Sequence, residues 1–189
     1  MSRLWLIRHG PTHAKTFVGW TDLPADLSDH AAIARLEAAL PDAPVISSDL
    51  TRAVETASAV QGARPRLPHD PRFRETHFGN WEMLSWSEIE ARDGALAREV
   101  FETPGESSPP GGESWNRFSA RVHEGVAALS GETVIVAHMG VIMALLQKAL
   151  SCSAFEALGH QIDPLSCTII DCSEGLSGPW SCNLINHKY

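Results

Sequence analysis

Two short apolar runs, far apart in the sequence, each lead into a histidine. Residues 4–7 read LWLI and are followed by Arg8 and His9, and residues 133–137 read TVIVA and are followed by His138. Runs of this length and composition are typical of buried strands, and an unbroken apolar run such as 133–137 suits a central strand covered on both faces. The sequence therefore predicts two sheet strands with a histidine at the carboxyl end of each.

The rest of the chain alternates between helical and extended patterns. Further strands are predicted over 43–49, 166–172 and 180–186, with a weaker extended piece near 64–68. Helices are predicted near 28–40, over 50–60, near 85–102, near 114–129 and from Gly140 onward. Strands that alternate with helices indicate an α/β fold, here a three-layer α/β/α sandwich with a mainly parallel central sheet. The last two strands, joined by a turn over 173–179, are predicted to add an antiparallel edge.

Length and composition narrow the class of protein. The chain has 189 residues, which predicts a single domain over 1–189, and the Pro-, Gly- and Ser-rich segment 102–114 is predicted to form a loop or cap. The net charge of −8 argues against nucleic acid or an anionic membrane as the main partner. No stretch has the ~18 apolar residues that suggest a membrane span.

The number and spacing of the cysteines bear on whether the protein works in an oxidising or a reducing compartment. Cys152, Cys167, Cys172 and Cys182 form no CxxC pair and have no zinc-finger spacing, and no signal peptide precedes them. We therefore expect free, mostly buried thiols in a cytoplasmic protein.

Candidate chemistry gathers at one edge of the predicted sheet. In open α/β sheets ligands bind beyond the carboxyl ends of the strands. If the two histidine-terminated strands are neighbours, ~4.8 Å apart, then His9 and His138 face the same space. Ser48 or Asp49 is predicted to cap the helix over 50–60, which places Arg52 in its first turn and at the same edge.

This group of side chains is suited to an anion. Arg8 and Arg52, two imidazoles and a helix N-terminus in one crevice make a pocket that fits phosphate best. Gly10 and Gly140, which follow the two histidines, are expected to let the backbone approach the ligand closely.

Five motifs in order make the sequence resemble a known family. They are RHG after the first strand, GWTD, SSDLTRAVETA, RETHFGNWE and VAHMG, and the match runs from about residue 3 to 145. RHG alone carries little information, but the ordered set resembles the histidine phosphatase superfamily, the phosphoglycerate-mutase-like enzymes. GNWE and PGGESW are most similar to its small phosphatase branch, which includes alpha-ribazole phosphatases.

The resemblance implies a role for each matching residue. His9 corresponds to a nucleophile that becomes phosphohistidine, while Arg8, Arg52 and His138 correspond to groups that grip the phosphoryl oxygens. Glu75 corresponds to the proton donor for the leaving group and, later, the base for water. The candidate phosphate- or substrate-binding residues are Arg8, Thr12, Lys15, Gly19, Arg52, Glu75, His138 and Met139.

The implied function is a metal-independent phosphomonoester hydrolase without a cofactor, acting on a small phosphate ester such as alpha-ribazole phosphate. Two alternatives remain open: a mutase-like phosphoryl transferase and a catalytically silent phosphate-binding module. Intact His9 and Glu75 speak against the silent module, since binding alone needs no proton donor. Oligomeric state cannot be read from the sequence.

Several residues also have simpler interpretations. Arg52 can pair with Asp49 or Glu55 on its own helix, and His138 can be a hydrogen-bonded core histidine. Glu82 and His77 compete with Glu75 as the proton donor.

The expected pocket wall departs from the family pattern. Pro11, Lys15, Met139 and Met143 stand where the family often has Glu, Asn, Gly and Arg, so the substrate stays open. Glu113 and Ser114 are predicted to contact the substrate. For Trp81, Trp86 and Trp115 two alternatives are open, lining of the substrate pocket or packing in the core.

Overall fold

A five-stranded sheet forms the centre of the fold, and the computed structural model describes residues 2–172 and 178–189. The strands are β1 (Ser2–Arg8), β2 (Val45–Ser47), β3 (Thr133–Ala137), β4 (Cys167–Cys172) and β5 (Trp180–His187). The helices are α1 (His30–Ala39), α2 (Thr51–Val60), α3 (Trp86–Glu102), α4 (Trp115–Ala127), α5 (Met139–Leu150) and α6 (Ala154–Leu158). Two short 3₁₀ helices cover Pro71–Phe73 and Gly79–Trp81.

The strand order is β2-β3-β1-β4-β5. β3 lies between β2 and β1 and is parallel to both, while β4 is antiparallel to β1 and to β5. The prediction of a mainly parallel sheet with an antiparallel edge is therefore confirmed. Of the predicted turn over 173–179, residues 173–177 lie outside the described residues.

Helices cover both faces of the sheet. The side chains of Leu4, Leu6 and Ile135 pack with α4 and α5 on one face. Those of Ile7 and Val136, which point the other way along the same strands, pack with α1 and α2. Because successive strand residues point to opposite faces, the apolar runs supply both layers of the core. The predicted three-layer α/β/α arrangement is confirmed.

The extended piece near 64–68 does not form a sheet strand. Val45 and Arg66 form one isolated parallel bridge, in which the Val45 N–H donates to the Pro65 carbonyl at 2.8 Å and the Leu67 N–H to the Val45 carbonyl at 2.9 Å. Pro65 and Pro68 have no N–H, so the ladder cannot continue on either side.

The predicted cap of α2 is wrong. Leu50 is the N-cap residue, and its apolar side chain makes no capping bond. The carboxylate that serves this helix end comes from another loop. Asp22 accepts from the Thr51 N–H at 2.8 Å and from the Thr51 hydroxyl at 2.7 Å. Asp49 instead pairs with Arg74, at 2.7 and 2.6 Å.

A third, smaller apolar cluster lies under α3. Trp81, Ile89 and Ala97 are buried there, and Phe17 and Phe101 pack against them. This cluster is separate from the two sheet faces and supplies one wall of the cavity described below.

The cysteines form no disulfide, and two of the four, Cys167 and Cys172, are buried. In the part of the chain that the structure describes, no helix is both long and apolar enough to cross a bilayer.

We predict that Asp22→Ala lowers the free energy of unfolding by about 1 kcal/mol, the usual effect of losing a helix N-terminal acceptor. Urea denaturation of the purified variant measures this. Asp42→Ala, which removes an exposed carboxylate elsewhere, is the matched control. Equal midpoints for the two variants would contradict the assignment of Asp22 as the α2 cap.

Candidate active site

The two strand-end histidines lie side by side. β1 and β3 pair in register up to Arg8 and Ala137, and the His9 N–H donates to the Ala137 carbonyl at 3.0 Å. The ring centroids of His9 and His138 are 5.1 Å apart with an interplanar angle of 60°. The prediction that neighbouring strands bring these imidazoles together is confirmed.

The His9 ring is held in one tautomer. Its Nδ1 lies 2.6 Å from the Gly10 carbonyl oxygen, which can only accept, so Nδ1 carries the hydrogen and Nε2 has the free lone pair. Burial, the positive charge of Arg52 and then that of Arg8 lower the pKa of His9 to about 3, although the bond to Gly10 opposes them. The imidazole is therefore neutral at pH 7.

Arg52 reaches the site from the first turn of α2. It is 1% exposed, and its Nη1 and Nη2 donate to the carbonyls of Thr21 at 3.0 Å and Gly19 at 2.6 Å. The alternative pairings are wrong: Asp49 bonds Arg74, and Glu55 accepts from the Ala25 N–H at 3.1 Å.

Three buried polar atoms of Arg8 and His138 have no hydrogen-bond partner among the described residues. They are Nε of Arg8 and both ring nitrogens of His138. Buried polar atoms are nearly always hydrogen-bonded, so such a group needs a ligand or water. Burial first, and then the neighbouring His9 ring and the charges of Arg52 and Arg8, hold the pKa of His138 well below its usual value. A core histidine satisfied by the protein would not leave both nitrogens unpaired.

Glu75 is the buried carboxyl of the site. Its Oε1 accepts from the Thr76 N–H at 2.9 Å and its Oε2 from the Gly140 N–H at 3.2 Å. Burial raises the pKa of Glu75, although these two bonds and the charges of Arg52 and Arg8 act in the opposite direction. A raised pKa favours the protonated carboxyl.

The two competing proton donors occupy different environments. Burial would raise the pKa of Glu82, but bonds from Thr21, Trp20 and Gly19 outweigh it and lower that pKa. The His77 ring packs edge-on against Trp20, with centroids 4.5 Å apart. Neither Glu82 nor His77 lines the cavity.

The site opens into a cavity of about 380 Å³. Of the candidate residues, those that line it are Arg8, His9, Thr12, Lys15, Arg52, Glu75 and Met139. His138 is wholly buried, and Gly19 lies behind Arg52 as an acceptor for its guanidinium.

Away from the charged end, the cavity wall is largely apolar. Trp86 and Trp115 line it, whereas Trp81 is buried in the α3 cluster. Glu113 lines the cavity, but Ser114 is wrongly predicted as a substrate contact, since it is buried and caps α4 by accepting from the Arg117 N–H. Apolar lining residues that sequence analysis missed are Phe17, Val18, Phe78, Val100, Phe101 and Leu158.

The glycines after the two histidines serve close packing within the protein. A Cβ on Gly10 would lie 2.7 Å from Leu27 Cδ2, and Gly10 does not line the cavity, so the expected approach to a ligand is wrong for that residue. A Cβ on Gly140 would lie 2.3 Å from Glu75 Oε1. Gly140 thus lets the start of α5 touch the carboxyl.

Two guanidiniums and two neutral imidazoles at the carboxyl edge of an α/β sheet define a phosphate-handling α/β enzyme. The sequence profile of the histidine phosphatase superfamily (branch 1) matches residues 4–186. The chain therefore belongs to the histidine phosphatase superfamily, in its alpha-ribazole-phosphatase-like branch, and it is a phosphatase.

Individual relatives agree with this membership. The adenosylcobalamin/alpha-ribazole phosphatase of Salmonella typhimurium is 29% identical over 188 residues, 93% of this chain and 93% of that protein. The glucosyl-3-phosphoglycerate phosphatase of Mycolicibacterium vanbaalenii is 35% identical over 163 residues, 76% of this chain and 72% of that protein. The crystal structure of the alpha-ribazole phosphatase from Shigella flexneri matches with a TM-score of 0.80 at 26% identity, covering 98% of this chain and 96% of that one.

We predict that Gly140→Ala lowers kcat/KM for a phosphomonoester by about 100-fold, because the new methyl group displaces the Glu75 carboxyl and a misplacement of 1 Å has an effect of that size. Steady-state phosphate release measures it. Gly94→Ala on α3 is the control, since a Cβ there would lie 3.6 Å from its nearest neighbour. Equal activity of the two variants would show that the close approach of α5 to Glu75 is unimportant.

Proposed function

We propose that this chain is a metal-independent phosphomonoester hydrolase that forms a phosphohistidine on His9. The observation that carries the proposal is the neutral His9 ring, with its Nε2 lone pair free, among Arg8, Arg52 and the unpaired nitrogens of His138. Imidazole attacks only when neutral, and burial beside two guanidiniums keeps it so.

The first displacement uses both ends of the site. Nε2 of His9 forms a bond to phosphorus while the ester P–O bond breaks, and Glu75 gives its proton to the departing alkoxide. Charge on the three equatorial oxygens is stabilised by Arg8, Arg52 and the His138 ring. The raised pKa of Glu75 supports this role, because a carboxyl must be protonated to act as the acid.

The second displacement returns the enzyme to its starting state. The Glu75 carboxylate takes a proton from water, the water oxygen bonds to phosphorus, and the P–N bond breaks with its electron pair returning to Nε2. Orthophosphate leaves, and Glu75 is protonated again. Each step uses only groups that line or adjoin the cavity.

The cavity chemistry supports an ester whose alcohol carries an aromatic or other apolar group. Phe17, Phe78, Trp86, Phe101 and Trp115 lie along its wall, and flat apolar rings stack favourably on such side chains. Among the substrates that the relatives' names suggest, alpha-ribazole phosphate suits this wall better than the carbohydrate and carboxylate of glucosyl-3-phosphoglycerate. A small phosphorylated metabolite with an aromatic group is therefore the proposed substrate class.

The segment 102–114 is proposed as the rim of this cavity within a single domain over 1–189. Pro109 and Glu113 line the cavity, and the Asn80 N–H donates to the Pro110 carbonyl at 2.8 Å, which ties the segment to the loop after Glu75.

A panel of phosphate esters tests the hydrolase assignment. We expect orthophosphate release to be faster from aryl phosphates and alpha-ribazole phosphate than from phosphoglycerates, and to disappear in His9→Ala. Colorimetric phosphate detection with chromatography of the organic product measures both. Isomerised phosphoglycerate without free phosphate would favour the mutase, and release that survives His9→Ala would overturn the mechanism.

The pH dependence of kcat/KM tests the proton donor. Activity should fall at acid pH as His9 gains a proton near its pKa of about 3, and on the alkaline side as Glu75 loses its proton above its raised pKa. Glu75→Gln should lower kcat/KM by about 10²–10⁴-fold and abolish the part of the alkaline fall that belongs to Glu75. The substrate's own ionisation is common to both proteins, so identical alkaline limbs would contradict the role of Glu75.

A further inference from the structure

One arginine side chain from another element makes several of the hydrogen bonds that hold the segment carrying Glu75. After the short 3₁₀ helix Pro71–Phe73 the backbone is irregular up to Glu75. Arg121 on α4 donates to four carbonyls, those of Pro71 at 3.4 Å, Arg72 at 2.8 Å, Arg74 at 3.1 Å and Glu75 at 3.3 Å. These bonds take the place of the backbone pairing that a regular element would supply.

Glu113 completes this support from the rim segment. Its carboxylate accepts from the Arg121 guanidinium and also from the His77 N–H at 3.0 Å, while the Glu113 N–H donates to the His77 carbonyl at 2.9 Å. The backbone is thus fixed on both sides of Glu75. The side chains of Arg121 and Glu113 are 19% and 14% exposed, so the pair is shielded from water.

Neither side chain is free to act on a substrate directly. Arg121 does not line the cavity. Glu113 does, but its carboxylate is committed to Arg121 and to the His77 N–H, and a free carboxylate there would repel a phosphate dianion.

Trp20 is a third side chain that holds this segment, since its Nε1–H donates to the Glu75 carbonyl at 2.9 Å. Arg121 and Trp20 thus hold the Glu75 carbonyl itself, and Glu113 holds the backbone two residues further on.

We propose that Arg121, anchored by Glu113, is a positioning residue that aims the Glu75 carboxyl at the leaving-group oxygen. The proposal rests on the role of Glu75 in the proposed function. The reach of one guanidinium to four carbonyls and a carboxylate depends on its planar, forked set of donors. Lysine keeps the positive charge, but its single ammonium group cannot make all of these hydrogen bonds at once. Arg121→Lys therefore tests the positioning of the Glu75 segment without a change of charge.

The experiment compares two aryl phosphates that differ in their need for an acid. Phenyl phosphate has a poor leaving group and requires a proton, whereas 2,4-dinitrophenyl phosphate leaves without one. The quantity measured is kcat/KM, which reports only the steps up to phosphohistidine formation. We expect Arg121→Lys to lower kcat/KM for phenyl phosphate by about 10-fold to 100-fold, because displacement of the acid from the leaving-group oxygen has an effect of that size. The value for 2,4-dinitrophenyl phosphate should change little.

Three further variants make the result specific. Glu75→Gln should give the same dependence on leaving group, and adding Arg121→Lys to Glu75→Gln should cost nothing more, because residues that act as a unit are not additive. Arg117→Lys, an exposed arginine on the same helix, should leave both rates unchanged. Glu113→Gln, which still accepts from the His77 N–H, should reproduce the Arg121→Lys pattern and serves as the test if Arg121→Lys does not fold.

The outcomes separate this proposal from the proposed function. Equal losses on both substrates, or additive losses in the double variant, would show that Arg121 is merely structural and would overturn the positioning role. If Glu75→Gln shows no dependence on leaving group, the acid role of Glu75 falls and the positioning proposal with it. If Glu75→Gln shows the dependence and both Arg121→Lys and Glu113→Gln do not, the hydrolase mechanism stands and only the positioning role is rejected.

Discussion

The parallel pairing of β1 with β3 is the constraint on which the site depends. It sets His9 beside His138 with the rings 5.1 Å apart, in the field of the Arg8 and Arg52 guanidiniums. Four cationic groups so close together in a poorly solvated space would repel one another strongly. Burial resolves the conflict by lowering the pKa of both imidazoles, so only the arginines carry charge. The arrangement that makes the crevice attractive to an anion is the same one that keeps the proposed nucleophile neutral.

Glu75 is the proposed acid of the site. Its position depends on contacts that involve its own backbone and that of α5. Its carboxyl touches the first turn of α5 because Gly140 has no side chain, and its main chain is fixed by Arg121 and Trp20. The carboxyl is buried near Arg8 and Arg52, yet the burial outweighs their charges and raises its pKa. Acid and nucleophile are thus tuned in opposite directions by the same low-dielectric surroundings.

The central features of the fold and site could be predicted from sequence because their signals are local. The apolar runs before His9 and His138, and the position of Arg52 just after a strand, identify the sheet edge without knowledge of distant contacts. In the sequence, Glu75 is identified only by its place in a motif that resembles one of the family. Its environment depends on α4 and α5, which the sequence does not place next to it.

Features that were missed or wrong depend on contacts between distant segments. Asp22 caps α2 from a separate loop, and Arg121 recognises carbonyls, which every residue has and which leave no pattern in the sequence. Ser114 lies in a Pro-, Gly- and Ser-rich segment, which suggests a loop residue that contacts substrate, but in the structure it caps α4. The 64–68 piece has strand-like residues between prolines that stop the ladder.

The central claim is that Nε2 of His9 accepts the phosphoryl group. It is tested most directly by trapping the enzyme during turnover. Protein quenched in alkali while hydrolysing a phosphate ester would be digested and mapped by mass spectrometry, with ³¹P NMR to assign the ring nitrogen. The account predicts one acid-labile phosphoryl group, on Nε2 of His9. A phosphoryl group on His138 or any other residue, or turnover without a phosphorylated enzyme, would contradict it.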